Sequence, residues 1–455
     1  MSEKPILIFP IEIKSREFPA RLFLAGIAVE NGYRVVLGRS KILHRKLYKF
    51  PRGIIIENDA QPRSFSFFAR AQRMGFKTVA WDEESLVTLT DKIYAQLRIC
   101  PKTIALTEHF FCRGRGDREA IKEFYPEIEG QLIEAGNPRL DILHPKWAGD
   151  IKKDVRKTTI LINSRFSIVN PFYISPEKAK GNVFKKFGIT KDSDLRAHVD
   201  GWLEHAQSMF LAFANLTEVI AQSFPEYRII IRPHPSENHT FWLNLANKYQ
   251  NCESFYEGTA SDWFLTADCL VHNSCTTAIE ASLIGLPAYS YLPSGDNIYD
   301  AELPNSVSRR FYDTDSIIEA LRELPRLDER SRELTALKAR EKLSKSIFGV
   351  QKSQSSDKIF SHIQEIVLPK FNFRMLGWRL YDAVRVNISL TKQYLISLKN
   401  RNVTLENARA GYANQKYPGI SQDEITKLLE KFGYSHFKVT RFRDDWHIIS
   451  RVKRD

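Results

Sequence analysis

Short runs of consecutive apolar residues recur along this chain, separated by stretches of helical periodicity, and the pattern starts over once. The first series is PILIFPI (5–11), YRVVLG (33–38), GIIIE (53–57), KTVAW (77–81), TIALT (103–107) and GQLIEAGNPRLD (130–141). These runs do not alternate apolar with polar, so each strand is buried on both faces. The intervals leave room for a crossover helix, which predicts a parallel sheet with helices on both sides. The second series is KTTILINS (157–164), YRIIIRP (227–233), CESFYEG (252–258), ADCLVHNS (267–274) and PAYSYLP (287–293), with helices over about 200–223 and 276–284. The fold class expected is α/β, with two Rossmann-like doubly wound domains, 1–138 and 139–345, facing a cleft. A chain of 455 residues is also too long for one core. Residues 346–455 read as a basic, mostly helical extension that packs on the first domain or on a membrane.

Charge and cysteine content narrow the partners. The net charge of +13 favours anions. No DNA- or RNA-reading motif accompanies it, so nucleic acid is not the expected partner. Between Lys370 and Lys416, nine Lys or Arg oppose Asp382 and Glu406, with Phe371, Phe373, Trp378, Tyr381 and Tyr394 interleaved. That mixture suits an anionic membrane surface or a lipid-linked substrate; a helix packed on the first domain with a solvated basic face would read the same way. The five cysteines form no CxxC pair and suggest reduced thiols, with Cys275 a small packing residue. No apolar run approaches the ~20 residues of a membrane helix. The N-terminus reads as a first strand and not as a signal peptide. The expected location is the cytoplasm, at the inner face of the membrane if the extension docks there.

Two motifs carry the chemistry. In 267–291 a strand delivers the polar turn Asn273-Ser274-Cys275-Thr276-Thr277 to the start of a helix. Unpaired N–H groups and hydroxyls there suit a phosphate, and Glu280, one turn on, can accept ribose hydroxyls. Capping alone would explain Ser274 or Thr276. The second motif is Arg232-Pro233-His234-Pro235, just past a strand. The prolines restrict the backbone around His234, whose imidazole can donate to or protonate a leaving phosphate, while Arg232 adds fixed positive charge. A capping histidine in a tight turn is the bland alternative. Asn163, Ser164 and Arg165 end the first strand of the second series and should point the same way.

The 267–291 stretch resembles the donor-binding half of glycosyltransferases of the GT-B fold, and GNPRLD (136–141) resembles the start of their interdomain crossing. A His-Pro motif followed about forty residues later by a Ser/Thr motif resembles bacterial sialyl-, polysialyl- and Kdo transferases. A narrower resemblance, carried by 12–40, VAWDEES (79–85) and RPHPSE, is to bacterial surface carbohydrate (capsule or O-antigen) biosynthesis proteins; Ser85 stands where that pattern has Gly. The resemblance implies inverting, metal-independent transfer without a cofactor, from a CMP-linked Kdo-like or nonulosonic acid to an oligosaccharide or lipid-linked glycan. The implied donor site is Asn163, Ser164, Arg165, Arg232, His234, Asn273, Ser274, Thr276, Thr277 and Glu280, with His234 meeting the departing CMP. The DSD triplet (192–194) reads as a surface turn, not a metal site.

Transfer needs a base for the acceptor hydroxyl. Loops of the first domain offer Glu12 and Glu17, Glu57 and Asp59, and Asp82, Glu83 and Glu84. Crowded acids raise one another's pKa, which favours Glu83, then Asp82, then Glu17. Lys14, Arg16 and Arg39 are candidates for an anionic acceptor. Two enzymatic alternatives share this frame: a CDP-glycerol-type polyol-phosphate transferase and a UDP-GlcNAc 2-epimerase-like isomerase. A non-enzymatic binder of anionic surfaces would need no His-Pro turn.

Overall fold

The computed structural model describes residues 4–87, 90–143, 157–187, 194–256, 258, 260–352, 354–399, 403–442 and 446–452. The chain divides into two compact units. One comprises 1–85, 94–142 and 346–455; the other comprises 86–93 and 143–345. Residues 346–455 therefore belong to the first unit. Asp192 of the DSD triplet lies outside the described residues.

The first unit is built on an eight-stranded sheet. Its parallel strands are β1 (Ile6–Ile11), β2 (Val35–Arg39), β3 (Gly53–Glu57), β4 (Lys77–Trp81), β5 (His109–Cys112) and β6 (Leu132–Glu134), in the order β2-β1-β3-β4-β5-β6. One expectation fails here. TIALT is not a strand: Pro101–Ile104 is a helical turn with Pro at its start, and the strand is the following His-Phe-Phe-Cys. Proline at the first helical position presets the backbone and needs no N–H there.

In the second unit β7 (Thr159–Asn163), β8 (Arg228–Arg232), β9 (Cys252–Ser254), β10 (Cys269–His272), β11 (Ala288–Tyr291) and β12 (Arg309–Phe311) form a parallel sheet in the order β12-β11-β10-β7-β8-β9. From β7 the chain runs outward to β9, then returns to the other side of β7 with β10. The boundary between β7 and β10 is a topological switch point, the place at which open α/β sheets generally bind ligands. The Asp194–Ser223 helix lays Phe210, Phe213, Leu216 and Ile220 into a core with Ile160, Ile162, Ile229 and Ile231.

The C-terminal segment completes the first unit. β13 (Phe437–Phe442) and β14 (Trp446–Arg451) form a hairpin whose second strand pairs antiparallel with β2, Ile449 opposite Val35 and Trp446 opposite Gly38. Gly26 on the Lys14–Glu30 helix admits the Tyr434 ring; a Cβ there would lie 2.2 Å from that ring. Phe432 meets Phe23 edge to face at 5.2 Å. Asp141 accepts hydrogen bonds from the N–H groups of Ser355 (3.2 Å) and Ser356 (2.6 Å), capping the Ser355–Gln364 helix from a distant part of the sequence. Among the described residues no helix is long and apolar enough to cross a membrane.

Candidate functional site

Strand register aligns the site residues of the second unit. Asn163 pairs with Arg232 on one side and with His272 on the other, so three adjacent strands end at one level. The loops that follow are laced together. Ser164 N–H donates to Arg232 O (3.3 Å), His234 N–H donates to Ser164 Oγ (3.3 Å), and Arg165 Nη1 donates across the switch point to Ser274 O (2.6 Å). Asn163, Ser164, Arg165, Arg232, His234 and the Asn273–Thr277 turn thus occupy one edge of one sheet.

The imidazole of His234 has a defined tautomer. Its Nδ1 accepts from Ser236 N–H at 3.2 Å, so in the neutral ring Nε2 carries the proton and is the donor. Arg232 is 7% exposed, and burial pulls its pKa down while the charges of Tyr256 and Glu280 push it back up. One guanidinium nitrogen donates to Gly258 O (2.9 Å), and Nε is buried without a hydrogen-bond partner. Asn163 Oδ1 is likewise buried and unpartnered. Arg232 Nε and Asn163 Oδ1 are thus buried polar atoms left unsatisfied within the chain, at the strand ends that precede His234 and Ser164.

The polar turn is more rigid than its composition implies. Ser274 has φ +46°, a left-handed conformation that costs a non-glycine residue about 1 kcal/mol. Its hydroxyl donates to Asp300 Oδ1 (3.0 Å) and accepts from Asn305 Nδ2 (3.0 Å), and His205 Nε2 lies 3.3 Å from the same Asp300 oxygen. The Thr277 hydroxyl donates to Cys275 Sγ (3.1 Å). Of the turn's hydroxyls, those of Ser274 and Thr277 brace the loop, and Thr276, half-buried, makes no side-chain cap. Glu280 is buried on the Thr277–Leu283 helix, within electrostatic reach of Arg232. Burial depresses the pKa of His272 to about 3, and its neutral ring bonds Ser308 Oγ (2.8 Å) and accepts from Cys275 N–H (3.3 Å).

Sequence reasoning passed over the support beneath His234. Glu237 is fully buried and accepts from Ser164 Oγ (2.9 Å), Phe166 N–H (2.7 Å) and Trp242 Nε1 (2.7 Å). Burial raises its pKa; those hydrogen bonds lower it in part. It lies within the quoted RPHPSE stretch, and an acid three residues past a constrained histidine was the available signal. Asp300, Asn305 and His205 gave none.

The acidic loops of the first unit sort themselves by partner. Asp82 is gripped by Arg98 through two hydrogen bonds (2.7 and 2.9 Å) and accepts from Glu84 N–H, an arrangement of a structural ion pair. Glu17 is fully buried and accepts from the N–H groups of Glu12 and Ile13 and from Arg16. Glu57 pairs with His44 (2.8 Å), and Asp59 with Arg63 and Ser64. Lys14 pairs with Glu424, and Arg39 donates to Ala413 O, so both are engaged by the C-terminal segment. Glu83 differs. It is 2% exposed, takes Trp81 Nε1 on one oxygen (2.8 Å), and its other oxygen is buried without a partner. Burial raises its pKa, against the lowering charges of Arg21 and Arg139 and with a further push from Glu17.

Neither a family model nor a curated protein matches the chain. Among solved structures it is similar to a variant of the wall teichoic acid polymerase TagF soaked with CDPG, at 12% identity over 79% of this chain and 89% of that one (TM-score 0.48). It is also similar to a Listeria monocytogenes protein named as a putative UDP-N-acetylglucosamine 2-epimerase (12%, 81% and 99%, TM-score 0.49). A third is the UDP-GlcNAc 2-epimerase from Neisseria meningitidis bound to UDP-GlcNAc (12%, 80% and 100%, TM-score 0.47). At such identities the likeness concerns the α/β fold alone.

Proposed function

We propose that the chain is a transferase that takes a group from a cytidine-linked donor and releases CMP. The supporting observation is the lacing of strand ends at the second sheet's switch point, where buried Arg232 closes its strand and His234, two residues on, is held by Ser164 and Ser236. In this reading Arg232 and His234 bind the phosphate that becomes CMP, the braced 273–277 turn shapes its seat, and Glu280 accepts ribose hydroxyls. The acceptor hydroxyl attacks, its proton passes to a carboxylate base, and the bond to the CMP oxygen breaks with its electrons on the phosphate. A raised pKa suits Glu83 to that task. Two donors meet this description. A CMP-linked Kdo-like or nonulosonic acid would break its anomeric C–O bond with inversion; a CDP-linked polyol would break its diphosphate P–O bond. Both leave CMP, and the acceptor is a surface glycan in either case.

Calorimetry with CMP, UMP, UDP and CDP, on wild type and His234→Ala, tests this. CMP should bind more tightly than UMP or UDP, and the substitution should weaken it. Preference for UDP, or indifference to His234, would overturn the reading in favour of a UDP-sugar isomerase. Incubation with CMP-linked acids and with CDP-polyols then separates the two donors by which one liberates CMP.

A further inference from the structure

The Phe373–Lys399 helix of the first unit shows solvent a stripe it would be expected to hide. Phe373 is 86% exposed, Leu380 60%, Val384 58% and Ile388 61%, with Leu376 and Leu395 on the same line. At 3.6 residues per turn these positions fall within about a third of the helix circumference. The opposite face carries Met375, Asp382 and Val386, which are buried against the unit.

Along one side of the stripe runs a basic cavity of about 710 Å³, between this helix and the Phe65–Arg73 helix. Arg70, Arg73, Arg374 and Arg385 line it with Trp378 and Tyr381. Asp382 is the one acid in the lining, and it pairs with Arg70 (3.3 Å) and Arg385 (3.0 Å). Arg73 stacks on the Trp378 ring (4.7 Å), and neither it nor Arg374 forms an ion pair among the described residues. A second cavity of about 340 Å³, lined by His44, Arg45 and Ser389, shares Arg70 and Arg385 with the first. The positive charge therefore exceeds what the fold neutralises.

We propose that this face docks in the plane of an anionic phospholipid bilayer, the apolar stripe entering the acyl boundary and the arginine cavity receiving a lipid phosphate. Charge complementarity selects this occupant. A lipid surface offers phosphates and hydrocarbon side by side, at the few-ångström depth that separates arginine heads from the stripe of an in-plane helix. The proposal does not depend on which nucleotide the second unit binds.

The full chain is sedimented with vesicles of phosphatidylcholine, and of phosphatidylcholine mixed with phosphatidylglycerol. Binding should require phosphatidylglycerol and weaken as salt rises. Arg73→Glu with Arg374→Glu should lower vesicle affinity by at least about 30-fold, each arginine near the surface being worth about 1 kcal/mol. Leu380→Asp with Ile388→Asp should lower it by about tenfold or more. All four side chains are exposed, so an unchanged melting temperature certifies the fold. Retention of wild-type binding in both variants, or no sedimentation with either vesicle, overturns the proposal. Equal affinity for soluble glycerol phosphate would replace it with a free-phosphate site. A dimer that Leu380→Asp dissolves, without vesicle binding, would replace it with a second copy of the chain.

Discussion

Glu237 has four donors around it and no exposed surface. A carboxylate can accept all of them; a carboxamide must turn an NH2 toward one N–H and leave it unsatisfied. Glu237→Gln should therefore cost about 1–3 kcal/mol of stability in denaturant titrations. It should also weaken CMP binding, because Ser164 Oγ, the acceptor for His234 N–H, loses its anchor. Glu83→Gln should act differently: turnover falls by about 10²–10⁴-fold while calorimetric CMP affinity stays at the wild-type value. The strand end at Arg232 was legible in the sequence because the Pro-His-Pro that follows cannot continue a ladder. The bracing of Ser274 was not, since Asp300 and Asn305 lie just before and within the short Glu302–Ser306 helix, which has no pattern of its own. A serine hydroxyl read as a phosphate donor proves to be engaged within the protein.

Buried parallel strands advertise themselves, and GIIIE, KTVAW and TILIN fold over the residues expected, or within one or two of them. The misses follow from weak local signals. β12 is Arg-Arg-Phe at a sheet edge, where partial exposure lets arginine into a strand. β13 and β14 fall where short strands after a capped helix are expected; what the local pattern did not show is their place in the sheet, set by a partner some four hundred residues away. That pairing has a testable strength. Gly26→Ala drives a methyl into the Tyr434 ring and should destabilise the first unit by about 1–3 kcal/mol, read as a lower melting temperature. Deleting 346–455 removes β14 from the β2 edge and the helix capped by Asp141. The remainder should aggregate rather than survive as a smaller enzyme, as light scattering would register.

At the scale of the molecule, Asp141 ties the point where the chain leaves unit one after residue 142 to its return at 346. Burial lifts its pKa from 3.8 to about 6, so the folded protein holds this proton more tightly than the unfolded chain does. Its contribution to stability is full below about pH 4 and is lost as pH rises through about 6, a change of no more than about 3 kcal/mol. Asp141→Asn forfeits one accepted N–H bond at every pH but should flatten that part of the profile, which chemical denaturation at a series of pH values would reveal. The two-domain plan was legible because the strand pattern restarts at KTTILINS, and packing of 346–455 on the first domain was one of two readings of that segment; the pairing of β14 with β2 was not legible, because the partners lie some four hundred residues apart.

That return sets an order on biosynthesis. The first unit has its first strand at Ile6–Ile11 yet lacks its last until Arg451 has been made, whereas the described strands of the second are all available by Phe311. On the ribosome the middle of the chain can finish folding while the N-terminal sheet waits, its β2 edge bare, for the about ten seconds that the final hundred residues take to emerge. Maturation therefore runs inside out, and the vulnerable interval for chaperone capture belongs to the part of the protein that was synthesised first.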